Sequence, residues 1–155
     1  HLRPLLTEVN VFGSSTKDHI KALNEIYNSS IPITHFPAGE VSRKYDGKIQ
    51  DTVWQKSFIT KAISCQRDVV PIFFGGTNSK LFYAVFTLRR LLGIKLNLEL
   101  ILLPREMFKS RNKTIKIFIG KPIPYTSFAN SRSHYEWAQE VRKTVYKLEN
   151  SFFLP

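Results

Sequence analysis

Residues 69–93 read VVPIFFGGTNSKLFYAVFTLRRLLG, and the reading of this stretch decides the fold class. The run 69–74 is apolar throughout, the pattern of a strand covered on both faces as in parallel sheets. The turn GGTNS at 75–79 interrupts it, and a helical pattern follows from about 79 to 92, with Gly93 placed to end the helix. A covered strand feeding a helix is half of a β-α-β unit, so the stretch predicts a layered α/β domain.

Working outward, the alternation recurs. VNVFG (9–13) reads as a strand, and SSTKDHIKALNEIY after it as a helix with Ser15 and Thr16 as caps and Ile20, Leu23 and Tyr27 on one face. IPITHF (31–36) reads as a second strand. DTVWQKSFITKAIS, from Asp51, reads as a helix aligning Trp54, Phe58, Ala62 and Ile63. LELILL and TIKIFIG predict two further strands, and HYEWAQEVRKTVYKLE a last helix with Ala138, Val141, Val145 and Leu148 inward. The expected fold class is therefore α/β, a mostly parallel sheet flanked by helices, in a single domain over residues 1–155.

Composition bounds the partners. Hydrophobic residues make up 43% and aromatics 13% of the 155 residues, enough for a packed core. Cys65 stands alone, so no internal disulfide forms, which fits a reducing compartment; its place in a helical pattern reads as a small buried hydrophobe. Against 12 acidic residues stand 23 Lys and Arg, a net charge of +11, which implies acidic partners. No apolar run approaches the roughly 18 residues of a spanning helix. No helix-turn-helix, zinc-finger or aromatic ribonucleoprotein motif accompanies the charge, so nucleic acid is not the expected partner. The scattered histidines and lone cysteine lack metal-ligand spacing. REMFKSRNKTIK (105–116) reads as a basic, hairpin-like connection able to meet anionic headgroups.

HFPAGEVSRKYDG (35–47) leaves the expected strand 31–36 at its C-terminal end, where open α/β sheets build their sites. Gly39 permits close backbone approach, Arg43 offers a planar fork and Glu40 can orient that arginine or a substrate hydroxyl. GGTNS could hold an anion at a helix N-terminus, although it matches no nucleotide-binding loop and reads as a plain capped turn.

From Val9 to Pro124 the chain resembles the glycerolipid acyltransferase family, enzymes related to 1-acylglycerol-3-phosphate acyltransferase, and in particular its hemolysin-like branch. The family's F-P-E-G-T-R-S motif is matched by Phe36, Pro37, Gly39 and Ser42, with Ala38 and Val41 in the Glu and Arg columns. A Glu and an Arg reappear two positions late, as Glu40 and Arg43. WQKSF resembles the family's K-K-G and makes Lys56 a phosphate contact, VVPIFF places Pro71 in the column of the fourth block, and IKIFIGKPIPY resembles the strand and G-x-P-I turn near the family's C-terminal end.

The resemblance implies transfer of a fatty acyl group from acyl-coenzyme A or acyl-carrier protein to a lysophospholipid or N-acyl amino-acid lipid. It implies a peripheral location on the cytoplasmic face of the membrane, an anionic surface as partner and no cofactor beyond the acyl donor. The implied acceptor-binding residues are Phe36, Pro37, Gly39, Glu40, Ser42, Arg43, Lys56 and Pro71. Family catalysis uses H-x-x-x-x-D, His as base and Asp as orienter. Here His1, His19 and His134 are followed five residues on by Leu6, Asn24 and Gln139, and only His35 by a carboxylate, Glu40. His35 belongs to the acceptor block, so no catalytic residue is assigned; the expectation is the C-terminal part of a longer acyltransferase, its base upstream of His1, inactive alone. VNVFG also ends in Gly13 where the family has Arg, as suits an acceptor without phosphate. The alternative is a non-catalytic, basic, peripheral membrane-binding module.

Overall fold

The computed structural model describes residues 17–128 and 131–150. Along them run α1 (Lys17–Asn28), β1 (Arg43–Tyr45), β2 (Lys48–Gln50), α2 (Ser57–Ser64), β3 (Ile72–Phe74) and α3 (Lys80–Leu91). A 3-10 turn (Leu98–Leu102) then leads into α4 (Leu103–Lys109), followed by β4 (Ile117–Ile119), a second 3-10 turn (Tyr125–Ser127) and α5 (His134–Asn150). The fold is mixed α/β, and α3 closes as expected on Gly93, whose φ of 69° is one glycine adopts readily.

The sheet is not the expected one. Every strand pairing among the described residues is antiparallel: β1 with β2, β3 with β4 in the register Ile72–Ile119, Phe73–Phe118 and Phe74–Ile117, and a bridge between Val69 and Ile123. The mostly parallel sheet is thereby corrected, and the reason lies in two misread apolar runs. LELILL forms the 3-10 turn and the start of α4, because Glu99 within it is fully buried in ion pairs with Arg43 and Arg89. Pro104 follows in the first turn of α4, where its missing N–H costs nothing. IPITHF is not a strand either: Pro32 lacks a donor, and the Ile31 carbonyl accepts from Arg67, whose guanidinium also takes those of Tyr27 and Ser29 at the end of α1. VNVFG, with Ser15 and Thr16, lies outside the described residues. The basic connection at 105–116 is likewise part helix, through α4.

The β1–β2 hairpin occupies what reads as loop. It turns on Asp46 and Gly47, with φ of 48° and 81°, the two positive angles that a tight two-residue hairpin turn demands.

The helix expected from Asp51 begins only at Ser57, because 51–55 lies extended along α5. Gln139 pairs with both the N–H and the carbonyl of Trp54, Arg142 donates to the Asp51 carbonyl at 2.7 Å, and the Asp51 N–H donates to the Tyr146 hydroxyl at 2.8 Å. These three side chains are spaced three and four residues apart, one stripe of a helix. The main core lies beneath: Phe58, Ile59 and Ala62 of α2 against Ala138, Val141 and Val145 of α5, closed by Trp54 and Phe128. Full burial of such large side chains contributes about 1.5–3 kcal/mol each. Cys65 is only partly buried, at the C-cap of α2. A second buried group, Phe82, Tyr83 and Phe86, lies on α3, which packs against β1 and the first 3-10 turn.

Among the described residues no helix is long and apolar enough to cross a membrane.

Candidate functional site

The F-P-A-G segment is a tight turn. The Gly39 N–H donates to the Phe36 carbonyl at 3.0 Å, with Pro37 at the position that favours proline and Gly39 at φ 68°. Pro37 is buried, and its carbonyl accepts the Gln55 N–H at 2.9 Å, which ties the turn to the segment that delivers Lys56. Phe36 points outward, 69% exposed, its ring 6.5 Å from that of Phe74 at the end of β3. The structure thus brings Phe36, Pro37 and Gly39 together and sets Lys56 one residue beyond their anchor.

Ser42 donates to Asp51, whose other carboxylate oxygen accepts from the Trp54 indole at 3.0 Å. Asp51 was not read from the sequence as anything but a helix start; here it gathers Ser42, Trp54, Tyr146 and Arg142.

Arg43 is 2% exposed and stands at the centre of an ion-pair network. It reaches Glu40 at 2.6 Å and Glu99 at 2.8 Å, donates to the Val41 carbonyl at 3.0 Å, and lies over the Phe86 ring. Glu99 also accepts from Arg89, which holds the Ile94 carbonyl and the Asn97 side chain as well. Burial alone would raise the Glu99 pKa, but the hydrogen bonds from Arg89 and Arg43 overcome it and hold the carboxyl below the ordinary glutamic acid value. One nitrogen of Arg43, Nη2, is buried without a partner. Glu99 and Arg89 escaped sequence reasoning, and the available signal was a single charge inside the otherwise apolar LELILL.

Lys56 is exposed immediately before α2, with no ion pair among the described residues. Pro71 is buried just ahead of β3, its carbonyl accepting from Gly120 at 2.8 Å, and Phe74 at the far end of that strand is the residue whose ring meets Phe36. Beside the hairpin, a cleft of about 380 Å³ is lined by Lys44, Asp46, Phe86, Thr87, Arg90 and Leu91. The α3 N-terminus carries an anion of the protein's own: Glu106 accepts from the Ser79 N–H at 2.6 Å and the Ser79 hydroxyl at 2.7 Å. Those bonds, the hydroxyl's foremost, outweigh burial and lower the Glu106 pKa. His35 precedes the turn with its ring 5.8 Å from Phe58, and partial burial pushes its pKa below the ordinary histidine value. Its fifth successor, Glu40, is committed to Arg43.

The geometry is thus an exposed aromatic pair beside a glycine turn, with Lys56 next to its anchor and the buried ion pairs of Arg43 following it in the chain. Two curated relatives, each named lyso-glycine lipid O-acyltransferase, come from Bacteroides thetaiotaomicron and Phocaeicola vulgatus. Each is 43% identical over 147 residues, which cover 95% of this chain and 54% and 53% of theirs. The chain spans about half the length of the curated relatives it matches. No solved structure matches it significantly. The acyltransferase family profile matches residues 1–154, from end to end of the described fold, and the chain belongs to that family.

Proposed function

We propose that the protein takes part in O-acylation of a lyso-lipid, with a lyso-glycine or similar N-acyl amino-acid lipid favoured over a lysophospholipid as acceptor. The observation that carries this reading is the 43% identity, over 95% of the chain, to two lyso-glycine lipid O-acyltransferases. In the reaction the acceptor hydroxyl attacks the carbonyl of an acyl thioester, acyl-coenzyme A or acyl-carrier protein. A C–O ester bond forms, the C–S bond breaks, and the hydroxyl proton ends on the released thiol.

The acceptor lies against the exposed surface of Phe36, Gly39 and Glu40, with Ser42 beside them and Lys56 at the margin, while the buried Pro37, Arg43 and Pro71 hold the loop and the strand next to it. Two departures support an acceptor without phosphate: Val41 stands in the arginine column of F-P-E-G-T-R-S, and the displaced Arg43 is engaged by two carboxylates. His35 is not assigned the proton transfer, since Glu40 serves Arg43. The described residues supply acceptor binding and no positioned general base among them, help worth about a hundredfold to ten-thousandfold in rate. The protein works peripherally at the cytoplasmic face of the membrane, where its acceptor resides.

The test is acyl transfer from labelled acyl-coenzyme A and acyl-carrier protein to lyso-glycine lipid and to lysophosphatidic acid, with this chain and with the whole protein that carries it. Diacyl glycine lipid from the whole protein, and background turnover from the chain, is the expected result. Preference for lysophosphatidic acid overturns the acceptor, and turnover by the chain that vanishes in His35→Ala makes His35 the base.

A further inference from the structure

The segment from the last turn of α3 through α4 carries an unusual load of exposed apolar side chains. Leu91, Leu92, Leu96, Ile101, Met107 and Phe108 are each at least 65% exposed. Most exposed apolar residues need no explanation, but six large ones within 18 consecutive residues, 91–108, mark an interaction surface.

The charges around them point one way. In the stretch 88–116 the only acidic residues are Glu99 and Glu106, and both are buried, Glu99 on Arg43 and Arg89, Glu106 on Ser79 and Arg105. The exposed charge that remains is cationic: Arg90, Lys95, Lys109, Arg111, Lys113 and Lys116. The platform is also built in advance. Arg89 holds the Ile94 carbonyl, the Asn97 side chain and Glu99, pinning the loop that presents Leu96 against the end of α3. Presenting these side chains therefore costs little further ordering.

We propose that residues 88–108 are the face through which the protein docks on an anionic lipid surface, the leucines, Ile101 and Phe108 entering the acyl boundary and the basic residues meeting headgroup phosphates. Nucleic acid would answer the charge and leave the leucines unexplained. A small acidic protein would need a groove for its own apolar contacts, whereas side chains standing this far into solvent suit insertion between lipids. The inference stands on the surface alone and does not depend on the acyl-transfer reading.

The experiment is sedimentation of the 155-residue chain with vesicles of phosphatidylcholine alone and of phosphatidylcholine mixed with phosphatidylglycerol. The chain should bind the mixed vesicles, far less the neutral ones, and lose binding as salt rises. The triple variant Leu91→Ser, Leu96→Ser, Ile101→Ser should bind at least about tenfold more weakly. Lys95→Gln with Lys109→Gln, which leaves the apolar face intact, should lose about fivefold per charge. Val53→Ser, an exposed apolar change elsewhere, should bind as the parent does, and circular dichroism checks each fold. Equal binding to both vesicle types, full binding by the triple variant, or equal loss in Val53→Ser would overturn the proposal. So would a dimer or a carrier-protein complex that the triple change dissolves while vesicle binding persists. Acyl transfer is not read in this experiment, so either proposal can fail alone.

Discussion

Replacing Glu99 with glutamine tests the central claim about how the loop is held. The side chain keeps its shape and loses its charge, in a position with no solvent exposure, between Arg43 at 2% and Arg89 at 11%. Removing one partner of a buried pair costs about 3–5 kcal/mol, because the charge left behind has lost its solvation and its counterion. Arg43 retains Glu40, and Arg89 retains the Ile94 carbonyl and Asn97, so the lower end, about 3 kcal/mol, is expected. Against a total stability of about 5–15 kcal/mol this is a large fraction. At roughly 2–4 °C per kcal/mol for a chain of this size, Tm should fall by about 6–12 °C. Urea unfolding followed by circular dichroism measures it as a drop in midpoint at constant slope. In the Glu99→Gln background, Arg43→Met should cost less than it does alone, since the buried cation is then the liability. A Glu99→Gln protein within about 1 kcal/mol of the parent at neutral pH would refute the reasoning, and with it the view that this network sets the position of β1.

Two further outcomes follow from the coordinates. Gly120→Ala would place a methyl 2.9 Å from Pro71 Cγ and 3.1 Å from Leu148 Cδ2, so β4 must shift from β3; overpacking of this kind costs about 1–3 kcal/mol, and an unchanged denaturation midpoint would contradict the packing. Acid should also destabilise the fold. Glu99 and Glu106 have folded pKa values below the ordinary one, so their contribution is complete above the ordinary glutamic acid range and is lost as pH falls through the folded values. His35 is depressed too, so the unfolded chain takes up its proton first and the loss begins as pH falls through the ordinary histidine value. Tm measured from neutral pH down to about 4 should therefore fall, and less steeply in Glu99→Gln; a flat or rising profile would refute this.

Much of the fold was legible where one periodicity dominated. The residues 80–91 and 134–150 carry apolar positions at helical spacing with little competition, and both form the helices expected. Apolar runs were less informative, because strand and buried helix look alike over six residues. VVPIFF became a strand and LELILL a helix, and what separated them was Glu99 and the following Pro104, a charge needing two partners and a residue suited to a helix start. The hairpin is written in the sequence as Asp46-Gly47 between β-compatible residues, a strong local turn signal within the stretch 35–47. The extended course of 51–55 could not be read locally, since Gln139, Arg142 and Tyr146 that hold it lie more than 80 residues away.

The candidate site shows the same division. Its turn residues announce themselves, because proline and glycine act through their own backbone angles, and Phe36–Gly39 folds as its composition demands. Its charges do not, because a charge takes its meaning from what faces it. Arg43 in the sequence is an open fork; in the structure Glu40, three residues back, and Glu99, fifty-six residues on, occupy that fork, and only Nη2 is left without a partner. A guanidinium so engaged stabilises the loop by holding β1 against α3. Its one unpartnered nitrogen, Nη2, is buried away from the surface, and Glu99, itself fully buried, could not be released to free the others without a cost of several kcal/mol. The Glu and Arg that stand two positions late of the F-P-E-G-T-R-S pattern are thus paired with each other, and the loop shows Phe36, Gly39 and Glu40 to solvent, with Ser42 half-buried on Asp51. On the acceptor-binding role proposed for this loop, an arginine already neutralised by two carboxylates suits an amide-linked, phosphate-free headgroup better than a phosphate.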